Sequence, residues 1–228
     1  MRILHFFLAG ALSLLTVTCA PPDPSSSDAG PIREQAATAA RQAPSAVPRI
    51  VFLGDSLSAG LGLPREESVP SLIQARLNAA GYRYEVINAG VSGDTSAGGL
   101  NRLDWSLAGN VDILVIELGA NDGLRGLPVA QLRRNLHDII TRAKQRNIIV
   151  ILTGMEAPPN YGFAYISEFR QVFRDLASEH HVLFIPFYLE GVAGISSLNQ
   201  GDGIHPNSAG SRIIEQTVWR ALEPVLEK

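Results

Sequence analysis

The stretch "RIVFLGDSLSAGLGL", Arg49 to Leu63, decides the reading. Four apolar residues, Ile50 to Leu53, run directly into Gly54, Asp55 and Ser56. A short apolar run bounded by turn residues reads as a buried strand. Here the strand ends on a tight turn with a serine at its tip. The question is whether that serine is turn chemistry or a nucleophile.

Downstream, apolar runs of strand length alternate with helical patterns. "YEVIN", "DILVIELG", "IIVILTG" and "VLFIPF" read as four further strands. "DILVIELG" is apolar on both faces, as a central parallel strand requires. Between them, "SVPSLIQARLNAAG", "TSAGGLNRLDWSLAG", "PVAQLRRNLHDIITRAKQRN" and "YISEFRQVFRDLASEHH" carry apolar residues at helical spacing. "NSAGSRIIEQTVWRALEPVLEK" closes the chain as a helix capped by Asn207 or Ser208. Strict alternation predicts an α/β fold with a five-stranded parallel sheet covered by helices on both faces. In such folds ligands sit beyond the carboxyl ends of the strands.

The segments just after the strands are therefore the site candidates. They are Gly54-Asp55-Ser56, then "NAGVSGDTS" (Asn88 to Ser96), "GANDG" (Gly119 to Gly123), "GMEAPPNYG" and finally "GDGIHPN" (Gly201 to Asn207). Serine needs an adjacent base to act as a nucleophile, and histidine is the usual one. Of the five histidines, His5 lies in the N-terminal segment, His137 sits beside a helix's apolar face and points to solvent, and His180 and His181 end a helix. Only His205 falls in a loop at the expected site edge. Asp202, three residues earlier, is placed to orient it, with Gly203 allowing a tight turn between them. The plainer alternative is an Asx-turn and an incidental surface histidine. Acyl transfer also needs donors for an oxyanion. The Ser56 N–H, the Gly93 N–H and the Asn121 side chain are the candidates. Turn chemistry alone explains each block singly, including Asp94 as a helix cap and Asp55 as a turn and capping residue. Four such blocks in order on one edge make the joint coincidence poor.

These blocks resemble the SGNH (GDSL) hydrolase family: "GDSLSAG", "NAGVSGDTSAGG", "ELGANDGLRG" and "DGIHPN". "NDGLRG" and "PPNYG" look like its bacterial multifunctional thioesterase, lysophospholipase and arylesterase branch. The resemblance implies a flavodoxin-like three-layer α/β/α domain. It implies Ser56 as nucleophile, His205 as base and acid, Asp202 as its orienting partner, and Ser56, Gly93 and Asn121 as the oxyanion hole. It implies a small-molecule acyl ester or thioester substrate and broad acyl specificity. Two rival functions stay open, a carbohydrate or peptidoglycan O-acetyl esterase and a non-catalytic envelope binding module.

The loop "MEAPPNYGFAYI" offers Pro158 and Tyr161 as substrate-binding candidates, or else simply begins a core-packed helix. No Cys/His cluster has metal-ligand spacing, and no Gly-rich phosphate loop precedes a lysine. We therefore expect no cofactor and no metal. The net charge of −3 with mixed signs and no basic stripe argues against nucleic acid.

The N-terminal region is organised differently. Residues 1–19 combine a basic start with an apolar run of about 15 residues, short of the roughly 20 needed to span a membrane. That pattern reads as a secretory signal. Cys19, the single cysteine, stands where bacterial lipid attachment occurs, although Thr18 departs from the usual pattern; cleavage after Ala20 competes. Residues 20–48, rich in Pro, Ala and Ser, read as a flexible linker, leaving residues 49–228 as the folded domain. The expected location is the bacterial cell envelope, periplasmic or tethered to a membrane through Cys19, or else secreted.

Overall fold

The computed structural model describes residues 47–228. The expected signal, Cys19 and the linker as far as residue 46 lie outside the described residues.

Five strands form one parallel sheet: β1 (Arg49–Gly54), β2 (Glu85–Gly90), β3 (Val111–Glu117), β4 (Ile149–Thr153) and β5 (Leu183–Ile185). Their order is β2-β1-β3-β4-β5. This is the doubly wound order whose ligand crevice lies where the chain reverses direction, between β1 and β3. The register puts Gly54 opposite Gly90 on one side and Glu117 on the other. These three residues mark the carboxyl edge of the sheet. The fifth strand is shorter than the apolar run "VLFIPF", because Pro186 has no N–H to give the ladder.

The helices are α1 (Ser56–Ala59), α2 (Val69–Ala79), α3 (Ser96–Asn101), α4 (Leu103–Ser106), α5 (Ala120–Leu124), α6 (Val129–Gln145), α7 (Phe163–His180) and α8 (Ser208–Leu222). Helices α2 and α8 pack together, while α6 packs on α3 and on α7. The sheet lies between these two groups, giving the expected three layers. Phe52, Leu53, Leu114 and Ile116 of the central strands are fully buried. So are Leu132, Leu136, Ile139 and Ile140 on the inner face of α6. At roughly 1.5–3 kcal/mol for each large apolar side chain buried, this double-sided burial is what holds the layers.

Two sequence expectations are modified. The segment Thr95 to Gly109 forms two short helices rather than one, because Arg102 leaves helical geometry between them (φ −102°, ψ 8°). Its guanidinium is committed elsewhere, to the carbonyls of Gly54 and Ala89 and to Asp94. The cap of α3 is Thr95, whose hydroxyl accepts the Gly98 N–H; Asp94 instead pairs with Arg102 at 2.6 Å.

Candidate active site

Ser56 opens α1 directly after β1. Asp55 caps the helix by accepting the Leu57 N–H at 3.0 Å. The turn is so tight that a Cβ on Gly54 would lie 2.2 Å from Ser58 Oγ and 2.5 Å from Glu117 Oε2. Only glycine fits there. The Ser58 N–H goes to Glu117 and the Ala59 N–H to the Asp55 carbonyl. The first N–H groups of a helix have no partner within it. The Ser56 N–H is the donor of this turn that has no acceptor among the described residues.

From the opposite end of the chain, 149 residues away, His205 brings Nε2 to 2.9 Å from Ser56 Oγ. Asp202 Oδ2 lies 2.6 Å from His205 Nδ1. The other Asp202 oxygen accepts the N–H groups of Ile204 and His205, each at 3.0 Å. The turn that orients the acid is therefore the turn that orients the base. The His205 N–H, the His205 ring and the Ile204 N–H together lower the Asp202 carboxyl to about 2. It is a carboxylate at any pH of interest.

The second and third loops supply the other side. Gly93 adopts φ +86°, in the left-handed region that favours glycine. Its carbonyl accepts Arg125 Nη2 at 2.7 Å, and its N–H has no acceptor among the described residues. Asn121 Nδ2 donates to Asp55 Oδ2 at 3.0 Å and to the Asp94 carbonyl at 2.9 Å. Both amide hydrogens are engaged in the ligand-free geometry, so an oxyanion has to share or displace one of them.

Beside these groups lies a cavity of about 480 Å³. Its wall is mostly apolar: Leu61, Leu124, Met155, Pro158, Phe187 and Ile204. Ser56, Gly93, Asn121 and His205 line it as well. Pro158 is thus a wall residue. Tyr161 is not; its hydroxyl donates to the Leu124 carbonyl at 2.9 Å. The loop expected either to line a groove or to begin a helix does both in turn. Met155 to Pro159 line the cavity, and from Phe163 the chain is α7.

Four residues matter here that sequence reasoning passed over. Glu117, fully buried, accepts from the Asp55 N–H, the Ser58 N–H and the Ser58 hydroxyl through one oxygen. Its other oxygen has no partner among the described residues. Burial, and then the nearby Asp55 carboxyl, push Glu117 well above the usual carboxylate range. Burial likewise raises Asp55 to about 6, against the N–H of Leu57 and the amide of Asn121. Asp122 binds Ser96 through both oxygens. Arg102 ties the ends of β1 and β2 together, and Arg125 holds the Gly93 carbonyl. One signal was available: an acid closing the otherwise apolar "ILVIE" asks for partners.

Residues 52–213 match the model of the GDSL-like lipase/acylhydrolase family. The chain belongs to that family. It is 46% identical over 178 residues to esterase TesA of Pseudomonas aeruginosa, covering 78% of this chain and 89% of the relative. It is 35% identical over 178 residues to thioesterase 1/protease 1/lysophospholipase L1 of Escherichia coli K12, covering 78% and 84%. Among solved structures, the psychrotrophic esterase EstA from Pseudoalteromonas sp., inhibited by monoethylphosphonate, superposes with a TM-score of 0.74 at 36% identity. The match covers 77% of this chain and 97% of EstA. The two halves of the site therefore fall in one family frame, with the N-terminal residues beyond it.

Proposed function

We propose that this acylhydrolase cleaves carboxylic esters and thioesters through an acyl-serine intermediate. One observation carries the reading: the hydrogen-bonded line Ser56–His205–Asp202, at 2.9 and 2.6 Å, opens onto an apolar cavity. Ser56 Oγ attacks the acyl carbonyl while His205 Nε2 takes its proton. Asp202 holds the ring so that Nε2 is the accepting nitrogen, and stabilises the imidazolium that forms. The oxyanion receives the N–H groups of Ser56 and Gly93. The Asn121 amide turns one hydrogen from its present acceptors toward the same oxygen. His205 then protonates the departing alcohol or thiol, and water repeats the sequence on the acyl-Ser56.

An acyl chain of several carbons is the fitting occupant of a largely apolar cavity. An O-acetyl esterase has no use for such a wall, so that alternative takes second place. The relatives named as an esterase and as a thioesterase and lysophospholipase support the same substrate class. We place the protein in the cell envelope on the strength of its N-terminal pattern. No helix among the described residues is long and apolar enough to cross a membrane; Cys19 is the tether we propose.

The test uses the parent and Ser56→Ala on p-nitrophenyl esters from acetyl to palmitoyl. Hydrolysis by the parent alone, strongest beyond acetyl, is the expected result. Equal rates in both proteins would remove Ser56 from the mechanism. A steep fall in rate from acetyl to octanoyl would bring the O-acetyl reading forward.

A further inference from the structure

Away from the catalytic cleft, two histidines and a glutamate meet between α6 and the end of α7. His137 lies in mid-α6; Glu179 and His180 lie in the last turn of α7. None of the three lines the catalytic cavity. His137 Nδ1 and His180 Nε2 are 3.0 Å apart. Glu179 Oε1 stands 3.4 Å from His137 Nδ1 and 3.9 Å from His180 Nε2. The three atoms form a small triangle.

A proton accounts for only one side of it. Two neutral imidazoles share one N–H···N bond across 3.0 Å. That leaves the Glu179 oxygen facing two ring nitrogens at or beyond the limit of useful hydrogen bonding. A metal ion accounts for all three sides. Zinc holds imidazole nitrogen and carboxylate oxygen at about 2.0–2.1 Å in tetrahedral geometry, which separates any two ligand atoms by about 3.3 Å. The observed edges bracket that value.

The surroundings fit a site with one open position. Arg133 Nη2 donates to Glu179 Oε2 at 2.6 Å, which orients the carboxylate and leaves Oε1 for the imidazoles. Such outer partners are what hold a metal's ligands in place. His137 and Glu179 are each 43% exposed at the side chain, so the outward face admits an ion and a water. Two cations stand nearby, Arg133 and Lys144, the latter donating to the His180 carbonyl. They weaken attraction for a dication, as Asp175 beside Arg133 partly offsets.

We propose that His137, Glu179 and His180 form a binding site for a zinc-like divalent transition-metal ion, which cross-links α6 to α7. Imidazole and carboxylate ligands suit zinc, cobalt and nickel rather than calcium or magnesium. The ion takes no part in ester hydrolysis; it stabilises the fold by binding only the native state.

The test uses the full chain with Cys19→Ser, which removes its one thiol. Cobalt(II) is titrated while the visible spectrum is recorded, and zinc(II) by calorimetry. Expected are one equivalent of cobalt with the intense bands of a tetrahedral ion, displacement by zinc, and a rise in Tm with zinc. His137→Ala and His180→Ala should each weaken zinc at least ~10-fold and leave p-nitrophenyl ester hydrolysis unchanged. Absence of tetrahedral bands, or equal zinc affinity in parent and variants, would overturn the site. Should the more buried His180 variant fail to fold, the half-exposed His137→Ala decides alone.

Discussion

Ser96 donates its backbone N–H and its hydroxyl to the two oxygens of Asp122, at 2.8 and 2.6 Å. This buried pair fastens the loop after β2 to the loop after β3, beside the bonds of Asn121 to the Asp94 carbonyl and of Arg125 to the Gly93 carbonyl. Gly93 belongs to the first loop and Asn121 to the second, so the pair helps set the distance between two of the proposed oxyanion donors. Asp122 is almost wholly buried, and Asn135 completes the cluster by donating to the Ser96 hydroxyl. Asp122→Ala leaves a buried N–H unpaired, at a cost of about 1–3 kcal/mol, and loosens the join between the two loops. A misplacement of 1 Å is worth up to ~100-fold in rate. The expected result is a kcat lowered about 10- to 100-fold with KM little changed, together with a lower Tm. A variant with full kcat would show that the loops hold their register without Asp122.

Glu117 lies beneath the serine turn, and its folded-state carboxyl is raised by burial and by Asp55. The linkage sign follows. In the unfolded chain Glu117 ionises near 4.5, whereas in the fold it keeps its proton to higher pH. Above 4.5 the unfolded state thus binds fewer protons, and stability falls as pH rises toward the folded value. Asp55 acts in the same direction between 3.8 and about 6. Asp202 acts in the opposite direction, adding stability from about 2 to 3.8. Glu117→Gln keeps an acceptor oxygen for Ser58 and removes the ionisation. In urea unfolding from pH 5 to pH 9, its stability relative to the parent should therefore improve with pH until Glu117 ionises in the fold, and level off above that. A constant difference across that range would mean that Glu117 does not carry the proton. Glu117→Ala, which strips three donors of their acceptor, should be destabilised at every pH.

Asp202 is ionised at all working pH values, so the acid limb of the kcat/KM profile does not belong to it. Asp202→Asn should lower kcat by up to ~10⁴ by leaving the imidazole in the wrong tautomer. The fold should survive, because Asp202 is exposed and its backbone turn also rests on the Gly203 N–H bonded to Gln200. A loss smaller than ~10-fold would place the orientation of His205 with its backbone neighbours instead.

The strand-helix alternation was legible because double-sided burial writes an unbroken apolar run into each central strand. The hydrogen-bonded line Ser56–His205–Asp202 was legible because its members follow strands at one sheet edge, two of them only three residues apart. Other features depend on side chains meeting across long separations, which no local spacing records. His137 and His180 are 43 residues apart, and the periodicity around His137 pointed it to solvent, where its half-exposed ring meets a histidine from another helix. Arg102 looked like part of one helix and instead breaks it, since three acceptors outbid the helical conformation. Tyr161 stood two residues beyond the wall residue Pro159 in sequence, yet it does not line the cavity, and its phenol bonds the Leu124 carbonyl instead.

The cavity yields a last prediction, about chain length. Ala193 lines its wall and is itself exposed, so a larger side chain there occupies cavity space without disturbing the core. Ser56, Gly93 and Asn121 lie on other loops; His205 shares the connection from β5 to α8 with Ala193, but its ring is held by Asp202 within its own turn. Ala193→Trp should then lower kcat/KM for octanoyl esters ~10-fold or more, since a few methylenes of lost contact are worth that much. For acetyl esters, which need only the catalytic end, kcat/KM should stay within about threefold. The comparison of the two slopes along an ester series makes the measurement internally controlled. Equal losses for acetyl and octanoyl esters would mean that the acyl chain leaves the site by another route, and that this wall faces the leaving group.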